Sequence, residues 1–424
     1  MKPLHTLVIG ALLTVFSHSY AADSWPQMRG PTALGVSAAK GLPLTWSETE
    51  HVAWKTAIAG EGWSSPVVGD GAVYVTSALD DGRSLHAYRI DLASGKIVWD
   101  VTVFTNEVVP VKHARNSHAS PTPVLAGDRL YVHFGTMGTA CLAVKDGKTL
   151  WANRELKVDH AVGAGGSPVL YRDKLLLSCD GVDAQYGVAL DAKTGKIAWK
   201  KDRSAIERLA KVKDESRKCF STPLVVTVGG VSGGVSGGVD QAIVNGAERL
   251  YAQDPLTGED LWHVDFTGYS NATMAVSDGK MLVFNTAFNT SSLWGVRLDG
   301  AKGDVTASHV VWKVKFPSLS QSSPILLDGR VYVVNDSGIL LCLDLATGKE
   351  IYKERLGADF AASPVLADGR MYFFDARGKA TVVEPGATFK ILATNTLADG
   401  CMASPAVVGK ALIVRTKTSL YRIE

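Results

Sequence analysis

The richest polar stretch of the sequence is VKHARNSH, residues 111–118, which combines imidazole, guanidinium and amide side chains. Imidazole and guanidinium groups can hold anions, and an amide oxygen can ligate a hard cation. Comparable positions elsewhere carry further polar or aromatic side chains. The candidate ligand or cofactor residues are Trp63, His113, Arg115, Asn116, His118, His160, Arg217, Asn271, Gln321 and Asp359. The alternative is a solvated loop in which Asn116 caps its own turn.

Sequence motifs for catalysis and for metal binding are absent. The chain contains no HExxH or CxxC pattern. His118 and His160 together are two possible metal ligands, but histidines in separate loops are more often ordinary polar residues. No metal site and no catalytic residue is therefore predicted. The glycine-rich stretch of residues 228–239 has no phosphate-loop Lys-Ser/Thr, which argues against nucleotide binding.

Five cysteines are present, an odd number, so at least one thiol must be free in an exported protein. They stand in apolar strand contexts or shortly before a repeat, at positions with no obvious partner: Cys141, Cys179, Cys219, Cys342 and Cys401. Small buried cysteines with free thiols are the prediction, rather than disulfides or a redox pair.

The elements that must position the polar residues are visible in residues 320–353. This stretch alternates short apolar runs with turn signals at Asp328-Gly329, Asp336-Ser337-Gly338 and Thr347-Gly348. No helical periodicity interrupts it. Four antiparallel strands within about forty residues make one blade of a β-propeller.

The same pattern recurs eight times along the chain. Each copy has a Ser or Thr immediately before a proline, or its equivalent, at the start of the first strand: Ser65, Thr122, Ser167, Thr222, Thr273, Ser323, Ser363 and Ser404. Small residues suit a point where the inner strands of all blades converge on one axis. The fold class is therefore all-β, an eight-bladed propeller of four-stranded antiparallel blades.

The outer ends of the repeats also agree. A turn glycine is followed four residues later by an aromatic residue, as in SGKIVW ending at Trp99 and TGKIAW ending at Trp199. That aromatic can be buried between neighbouring blades. The last repeat lacks a fourth strand, and residues 51–57 resemble an outer strand without a blade. We expect this N-terminal strand to close the ring, which removes open sheet edges.

The first 21 residues have the features of a secretory signal peptide, with Lys2, an apolar core from Leu7 to Phe16 and Ala21 before the cleavage point. The apolar run is too short to span a membrane. Residues 22–424 are predicted to form a single propeller domain in the periplasm or outside the cell. Loss of Lys2 lowers the formal charge from +2 to +1, which argues against nucleic-acid partners.

Two insertions interrupt the repeats. Residues 201–219 are strongly charged and could form a short amphipathic helix, either as a surface excursion or as a partner contact. Residues 228–239, VGGVSGGVSGGV, predict an exposed, flexible hairpin extension.

The repeat, with its SSPV, VYV and TGK..W segments, resembles the quinoprotein-type propeller repeat named for pyrroloquinoline quinone (PQQ). It is similar to quinoprotein alcohol dehydrogenases, to the assembly lipoprotein BamB and to secreted PQQ-like repeat proteins, with which it shares the WPQ.RGP opening at residues 25–31. The dehydrogenases carry an adjacent cysteine pair that this chain lacks, and the lipid-attachment cysteine of BamB is also missing. Their catalytic Asp and calcium ligands have no match here.

Two functions remain open at this point. The first is a non-catalytic binding or assembly scaffold for a protein or glycan partner, acting as a monomer without a firmly predicted cofactor. The alternative is a PQQ-dependent, calcium-assisted oxidoreductase or a relic that still binds the quinone. Under that alternative, Arg115 would pair a quinone carboxylate, and Asn116 or Asp359 would offer oxygen to calcium.

Overall fold

The structure is a computed structural model that describes residues 24–229 and 238–424. The predicted signal peptide, residues 1–21, lies outside the described residues. So does the tip of the glycine-rich hairpin, whose two flanking strands pair from Val228 to Val239. Within the described ranges the chain forms eight antiparallel sheets arranged as blades, with one short α-helix. The all-β, eight-bladed prediction is confirmed.

The strands follow the predicted repeat. An N-terminal strand, β1, covers Val52–Ala57. The first four blades are built from Val67–Gly69, Ala72–Leu79, Ser84–Asp91 and Ile97–Thr105 (β2–β5); Val124–Ala126, Arg129–His133, Thr139–Ala143 and Thr149–Asn153 (β6–β9); Val169–Tyr171, Lys174–Asp180, Gln185–Asp191 and Ile197–Asp202 (β10–β13); and Leu224–Val228, Val239–Asn245, Arg249–Gln253 and Asp260–Asp265 (β14–β17).

The remaining blades continue in the same order. They are Val276–Ser277, Met281–Asn285, Ser292–Arg297 and Val310–Lys315 (β18, β19, β20 and β22, with Gly303–Asp304 as β21 between the last two); Ile325–Leu327, Arg330–Val334, Ile339–Asp344 and Glu350–Arg355 (β23–β26); Val365–Ala367, Arg370–Phe374, Lys379–Val383 and Ile391–Thr396 (β27–β30); and Ala406–Val408, Ala411–Arg415 and Ser419–Ile423 (β31–β33).

The ring closes as the sequence predicts, because β1 pairs antiparallel with β33 and becomes the outer strand of blade 8. Blade 4 has an addition that the repeat did not predict. β21, which belongs to the loop of blade 5, pairs in parallel with β17 and makes blade 4 five-stranded. The charged insertion contains the α-helix Glu207–Ala210 (α1) and a 3₁₀ turn at Asp214–Arg217. Further 3₁₀ turns cover Asp80–Gly82 and Gly135–Met137.

The outer-strand tryptophans join neighbouring blades in the way the turn-glycine pattern predicts. The Trp99 indole N–H donates to the Val144 carbonyl of blade 2 at 3.0 Å, and Trp151 donates to the Ala192 carbonyl of blade 3 at 3.0 Å. A Cβ on Gly95 would lie 2.7 Å from the Trp54 ring. The glycine of each turn therefore makes room for the indole of the preceding blade.

The described helices are all short, and none is long and apolar enough to cross a membrane. The five cysteines are buried and free, as predicted. Burial raises the pKa of each thiol, for example to about 12 for Cys219 and to about 11 for Cys342, so these thiols are inert small hydrophobic groups at neutral pH.

Candidate functional site

A belt of hydroxyl groups surrounds the axis of the ring at the predicted Ser/Thr positions. Seven of these hydroxyls accept a backbone N–H from the preceding blade, and the donor is the equivalent residue except in blade 5, where it is Met274. The bonds run from Ser65 to Thr122 at 3.0 Å, Thr122 to Ser167 at 2.9 Å, Ser167 to Thr222 at 2.9 Å, Met274 to Ser323 at 2.9 Å, Ser323 to Ser363 at 2.9 Å, Ser363 to Ser404 at 2.9 Å and Ser404 to Ser65 at 3.1 Å. The Ser/Thr repeat is thus a hydrogen-bonding requirement as well as a steric one.

The belt is irregular at the junction between blades 4 and 5. There the Ser221 hydroxyl donates to the Thr273 carbonyl at 2.7 Å, and the Thr273 hydroxyl donates to the Asn271 side chain at 2.9 Å. Blade 5 is also the repeat that lacks the proline. Asn271, one of the candidate ligand residues, is fully buried and fills this junction. Its role in the described structure is to bond the backbone, since its amide also donates to the Asn285 carbonyl at 3.0 Å.

The N-terminal segment closes one end of the central channel. Trp25 exchanges two backbone hydrogen bonds with Val68 at the exit of the inner strand of blade 1, and the Pro26 carbonyl accepts the Leu125 N–H of blade 2. The Met28 sulfur accepts from the hydroxyls of Ser65 and Thr122 at 3.6 and 3.5 Å. The WPQMRGP opening therefore forms a floor across the axis, at the ends of the inner strands.

Arg29 anchors this floor on the opposite side of the ring. Its guanidinium donates to the carbonyls of Leu34, Ser323 and Pro324 at 2.7, 3.1 and 2.5 Å. The side chain is 1% exposed, and burial lowers its pKa to about 9. The group is still charged at neutral pH, so the floor contains a buried positive charge.

The other end of the channel is an open mouth formed by the loops that enter the blades. Arg115, in the loop entering blade 2, makes an ion pair with Asp359, in the loop entering blade 7. Since these blades are three steps apart around the ring, the pair crosses the mouth rather than following its rim. The backbone N–H of His113 donates to the Val162 carbonyl at 3.0 Å, which connects the same loop to the entry of blade 3.

Asn116 organises its own loop and is not a free ligand group. Its amide donates to the carbonyls of Val162 and Ala164 at 2.9 and 3.2 Å. Its oxygen accepts from the Ser117 N–H at 2.8 Å and the Ser120 hydroxyl at 2.6 Å. The amide oxygen therefore has two donors already, which leaves little capacity for a cation.

Between floor and mouth lies a blind cavity of about 350 Å³, which we call the cup. Of the candidate residues, five line it: Trp63, His113, Arg115, Asn116 and Gln321. Belt hydroxyls and three side chains that the sequence did not single out, Met28, Phe220 and Phe288, complete the wall. Phe220 is buried, whereas Phe288 is 51% exposed at the mouth.

The other candidate residues lie apart from the cup wall. Asp359 reaches the mouth through its ion pair with Arg115. His118 is buried and lines a separate cavity of about 450 Å³ with Lys112, Glu61 and Asp81, where burial lowers its pKa. Arg217 donates to the Leu209 and Val212 carbonyls of the charged insertion at 3.0 and 3.4 Å.

His160 lies behind the cup, packed against Phe220 with ring centroids 6.2 Å apart. Neither of its buried ring nitrogens has a hydrogen-bond partner among the described residues, and burial lowers its pKa to about 4. His133 is a second buried imidazole nearby, with its pKa lowered to about 3 by burial and then by His160. The structure does not bring His118 and His160 together: His118 lines the separate cavity with Lys112, whereas His160 packs against Phe220.

Another cluster of potential metal ligands lies at the outer edge of blade 4. His263, Asp265 and Asp304 place one ligand atom each within 4.8 Å of the others. Arg249 already holds Asp265 through bonds of 2.5 and 3.0 Å, so this cluster is an ion-pair network. The cluster forms because β21 pairs with β17 and brings Asp304 next to His263. No sequence pattern predicted this pairing.

The cup does not fit a calcium-supported quinone. None of the described residues on its wall is a carboxylate. Asp359, at the mouth, is held by Arg115. Calcium prefers six to eight oxygen ligands that include carboxylates. None of the five cysteines is among the residues that line the cup.

Fold and site together define a class of protein: an eight-bladed β-propeller with a central cup. The sequence profile of the family described as outer membrane protein assembly factor BamB matches residues 34–178, 188–306 and 303–388. The chain belongs to this family.

Part of the chain also matches a longer enzyme. The chain is 31% identical over 147 residues to quinohemoprotein alcohol dehydrogenase ADH IIB of Pseudomonas putida, which covers 32% of this chain and 19% of the enzyme. It thus spans about a fifth of that relative's length.

Two solved structures share the fold. The quinohemoprotein alcohol dehydrogenase from Comamonas testosteroni gives a TM-score of 0.68 at 13% identity, covering 94% of this chain and 80% of that one. BamB from Moraxella catarrhalis gives 0.59 at 12% identity, covering 88% and 99%.

Proposed function

We propose that this chain is an exported, non-catalytic binding scaffold that receives its partner at the mouth of the cup. The observation that supports this proposal most is the chemistry of the cup wall, where hydroxyl, amide and aromatic groups replace the carboxylates that calcium and a quinone dehydrogenase would need. Hydrogen-bonding groups around an apolar platform are typical of a binding pocket. The relationship to BamB supports a role in binding or assembly, with a protein or glycan as partner.

The mouth is favoured over the floor as the binding face because it is accessible. The loop that carries Arg115 also exposes Val108, at 87%, and Val111, at 77%. Exposed apolar side chains beside polar groups are characteristic of interaction surfaces. At the other end, Trp25 and Arg29 are each 1% exposed and leave no open cavity.

A site-specific fluorophore tests this assignment. Val111→Cys places a reactive thiol at a position 77% exposed, two residues from His113 on the cup wall, and Val98→Cys, at a position 52% exposed on the outer strand β5, is the matched control. The native thiols should not compete for the label, because they are buried and their pKa values are raised to about 11 or 12. Titration with cell-envelope protein and glycan fractions should give a saturable signal from the mouth label alone.

The same labelled protein separates the scaffold from the alternative enzyme. PQQ with millimolar calcium should give no saturable change in absorption or fluorescence, and no alcohol-dependent dye reduction. Saturable, calcium-dependent PQQ binding with dye reduction would instead establish a quinone-dependent oxidoreductase. A partner signal from the Val98 position only would show that the outer rim is the binding face.

A further inference from the structure

We propose that the cup binds the carboxylate-bearing end of an acidic saccharide. This inference rests on the proposed function and narrows its ligand class. It starts from the sign of the charges around the cup. Arg115 stands at the mouth, where Asp359 neutralises it. Two further arginines, Arg29 and Arg415, are fully buried and bond residues beside the Ser/Thr belt.

The two buried arginines have no carboxylate partner among the described residues. The Arg29 guanidinium bonds only carbonyl oxygens. Arg415 donates to the Ser64 hydroxyl at 2.6 Å and to the Thr76 carbonyl at 2.7 Å, one residue away from Ser65 on the cup wall. A buried charge without a counter-ion projects its field into the nearest cavity, and an anion there would be stabilised.

The belt hydroxyls add hydrogen-bond donors to the cup wall. The hydroxyls of Ser167, Thr222 and Ser363 each accept a backbone N–H from the preceding blade. Each of them lines the cup and keeps its own O–H to donate. A wall that offers O–H donors and no carboxylate, with two unpaired buried arginines behind it, is complementary to an oxyanion.

The aromatic side chains indicate that the anion belongs to a sugar. Trp63 and Phe288 line the upper wall, where their flat faces can pack against the C–H face of a pyranose ring, and Gln321 supplies an amide beside them. An extended peptide would instead need backbone partners, but the belt N–H groups are already bonded to hydroxyls. Because the floor is sealed by residues 25–31, the cup admits a chain end rather than a passing chain.

Calorimetric titration of the full-length mature protein with digalacturonate, and with its dimethyl ester, tests the charge requirement. The two ligands share shape and hydroxyl groups, so a wall built for an oxyanion should bind the acid about tenfold or more tightly than the ester. Affinity for the acid should fall as salt rises from about 0.05 to about 0.5 M. Equal affinity for acid and ester, or no binding of either, would overturn the proposal.

A charge inserted into the cup gives the second test. Gln321→Glu is nearly isosteric and should weaken digalacturonate binding about tenfold through like-charge repulsion, with little effect on any residual ester binding. Thr149→Glu adds the same charge on the outer strand β9 and should leave affinity unchanged. If both variants keep wild-type affinity for the acid, the ligand does not enter the cup.

A third ligand distinguishes this inference from the proposed function. Triglutamate carries carboxylates on a peptide backbone. Saturable binding of triglutamate without digalacturonate binding would overturn the saccharide assignment and leave a binding scaffold in place. A mouth label that responds to no envelope fraction would remove the proposed function itself.

Discussion

The two ends of the central channel are built from different kinds of chain. The floor is one continuous segment, residues 25–31, which bonds the exits of the inner strands and buries both Trp25 and Arg29. The mouth is assembled from loops of several blades, and the ion pair that crosses it, Arg115–Asp359, is partly exposed. One end is closed by a buried segment, and the other is an open surface formed by loops.

This difference teaches where stability and binding reside in the ring. Burial of large side chains stabilises the floor. The solvated polar loops of the mouth contribute little to stability and are accessible to a ligand. Substitutions at the floor should therefore change stability, and substitutions at the mouth should change binding.

The largest effect is expected from Trp25→Ala. The indole is fully buried under the ring and packs against Gly30, so its removal should lower the free energy of unfolding by about 3–5 kcal/mol. Trp63→Ala at the mouth is the matched variant and should cost about 1 kcal/mol, since its side chain is only partly buried. Denaturant unfolding of the two variants measures both values. Equal losses would mean that the two ends are equally structural.

Acid should loosen the wall behind the mouth and spare the floor. Burial lowers the pKa of His133 from 6.5 to about 3, so the unfolded chain binds this proton more readily than the folded protein does. Its contribution to stability is complete above pH 6.5 and declines as the pH falls toward 3. At pH 4.5 the loss from His133 should reach about 3 kcal/mol, at about 1.4 kcal/mol per pH unit.

Comparing His133→Asn with the wild type isolates the contribution of His133 to the pH dependence of stability, because all other titrating groups are present in both proteins. Burial raises the pKa of Asp180 to about 6, which acts in the opposite direction as the pH falls. The variant should lose less stability than the wild type between pH 7 and 4.5. Hydrogen exchange at pH 4.5 should rise in residues 130–140 before residues 24–37. Simultaneous exposure of both segments would contradict this difference between the ends.

The belt between the two ends should respond in an intermediate way. Ser363→Ala removes the acceptor of the Ser323 N–H and leaves that buried donor unsatisfied, at a cost of about 1–3 kcal/mol. Ser363→Thr keeps the hydroxyl, as Thr122 does in blade 2, and should stay within about 0.5 kcal/mol of the wild type. Thermal unfolding compares the two. Equal losses would show that steric fit alone matters there.

The smallest effect is expected from Arg115→Gln. Ion pairs between exposed side chains typically contribute less than about 1 kcal/mol, and the Arg115 side chain is 47% exposed. The difference in stability between Arg115→Gln and the wild type should vanish at about 1 M salt. Arg115→Lys keeps the positive charge and should retain part of the stabilisation that the ion pair provides. A loss comparable to that of Trp25→Ala would show that the mouth is a structural clasp.

The regular part of the molecule could be predicted because it depends on neighbours in sequence. Turn glycines, strand alternation and the repeated Ser/Thr position predict the blades and the closing strand β1. The belt hydrogen bonds were missed, since the pattern at Ser65 or Thr222 explains small size equally well. Phe220 and Phe288 were also missed, because aromatic residues are common in loops and in strands alike.

What the sequence by itself determined is the set of repeated local interactions: eight blades, a closed ring and cysteines with no obvious disulfide partner. What only the tertiary structure decided are the contacts between residues far apart in the chain. These are the Arg115–Asp359 pair, the Arg29 anchor at Ser323 and Pro324, and the docking of β21 on β17. The physical reason is that local hydrogen bonds and side-chain periodicity leave a trace in neighbouring residues. A contact across the ring depends on how all the blades are arranged around the axis, and the sequence of one segment carries no information about that arrangement.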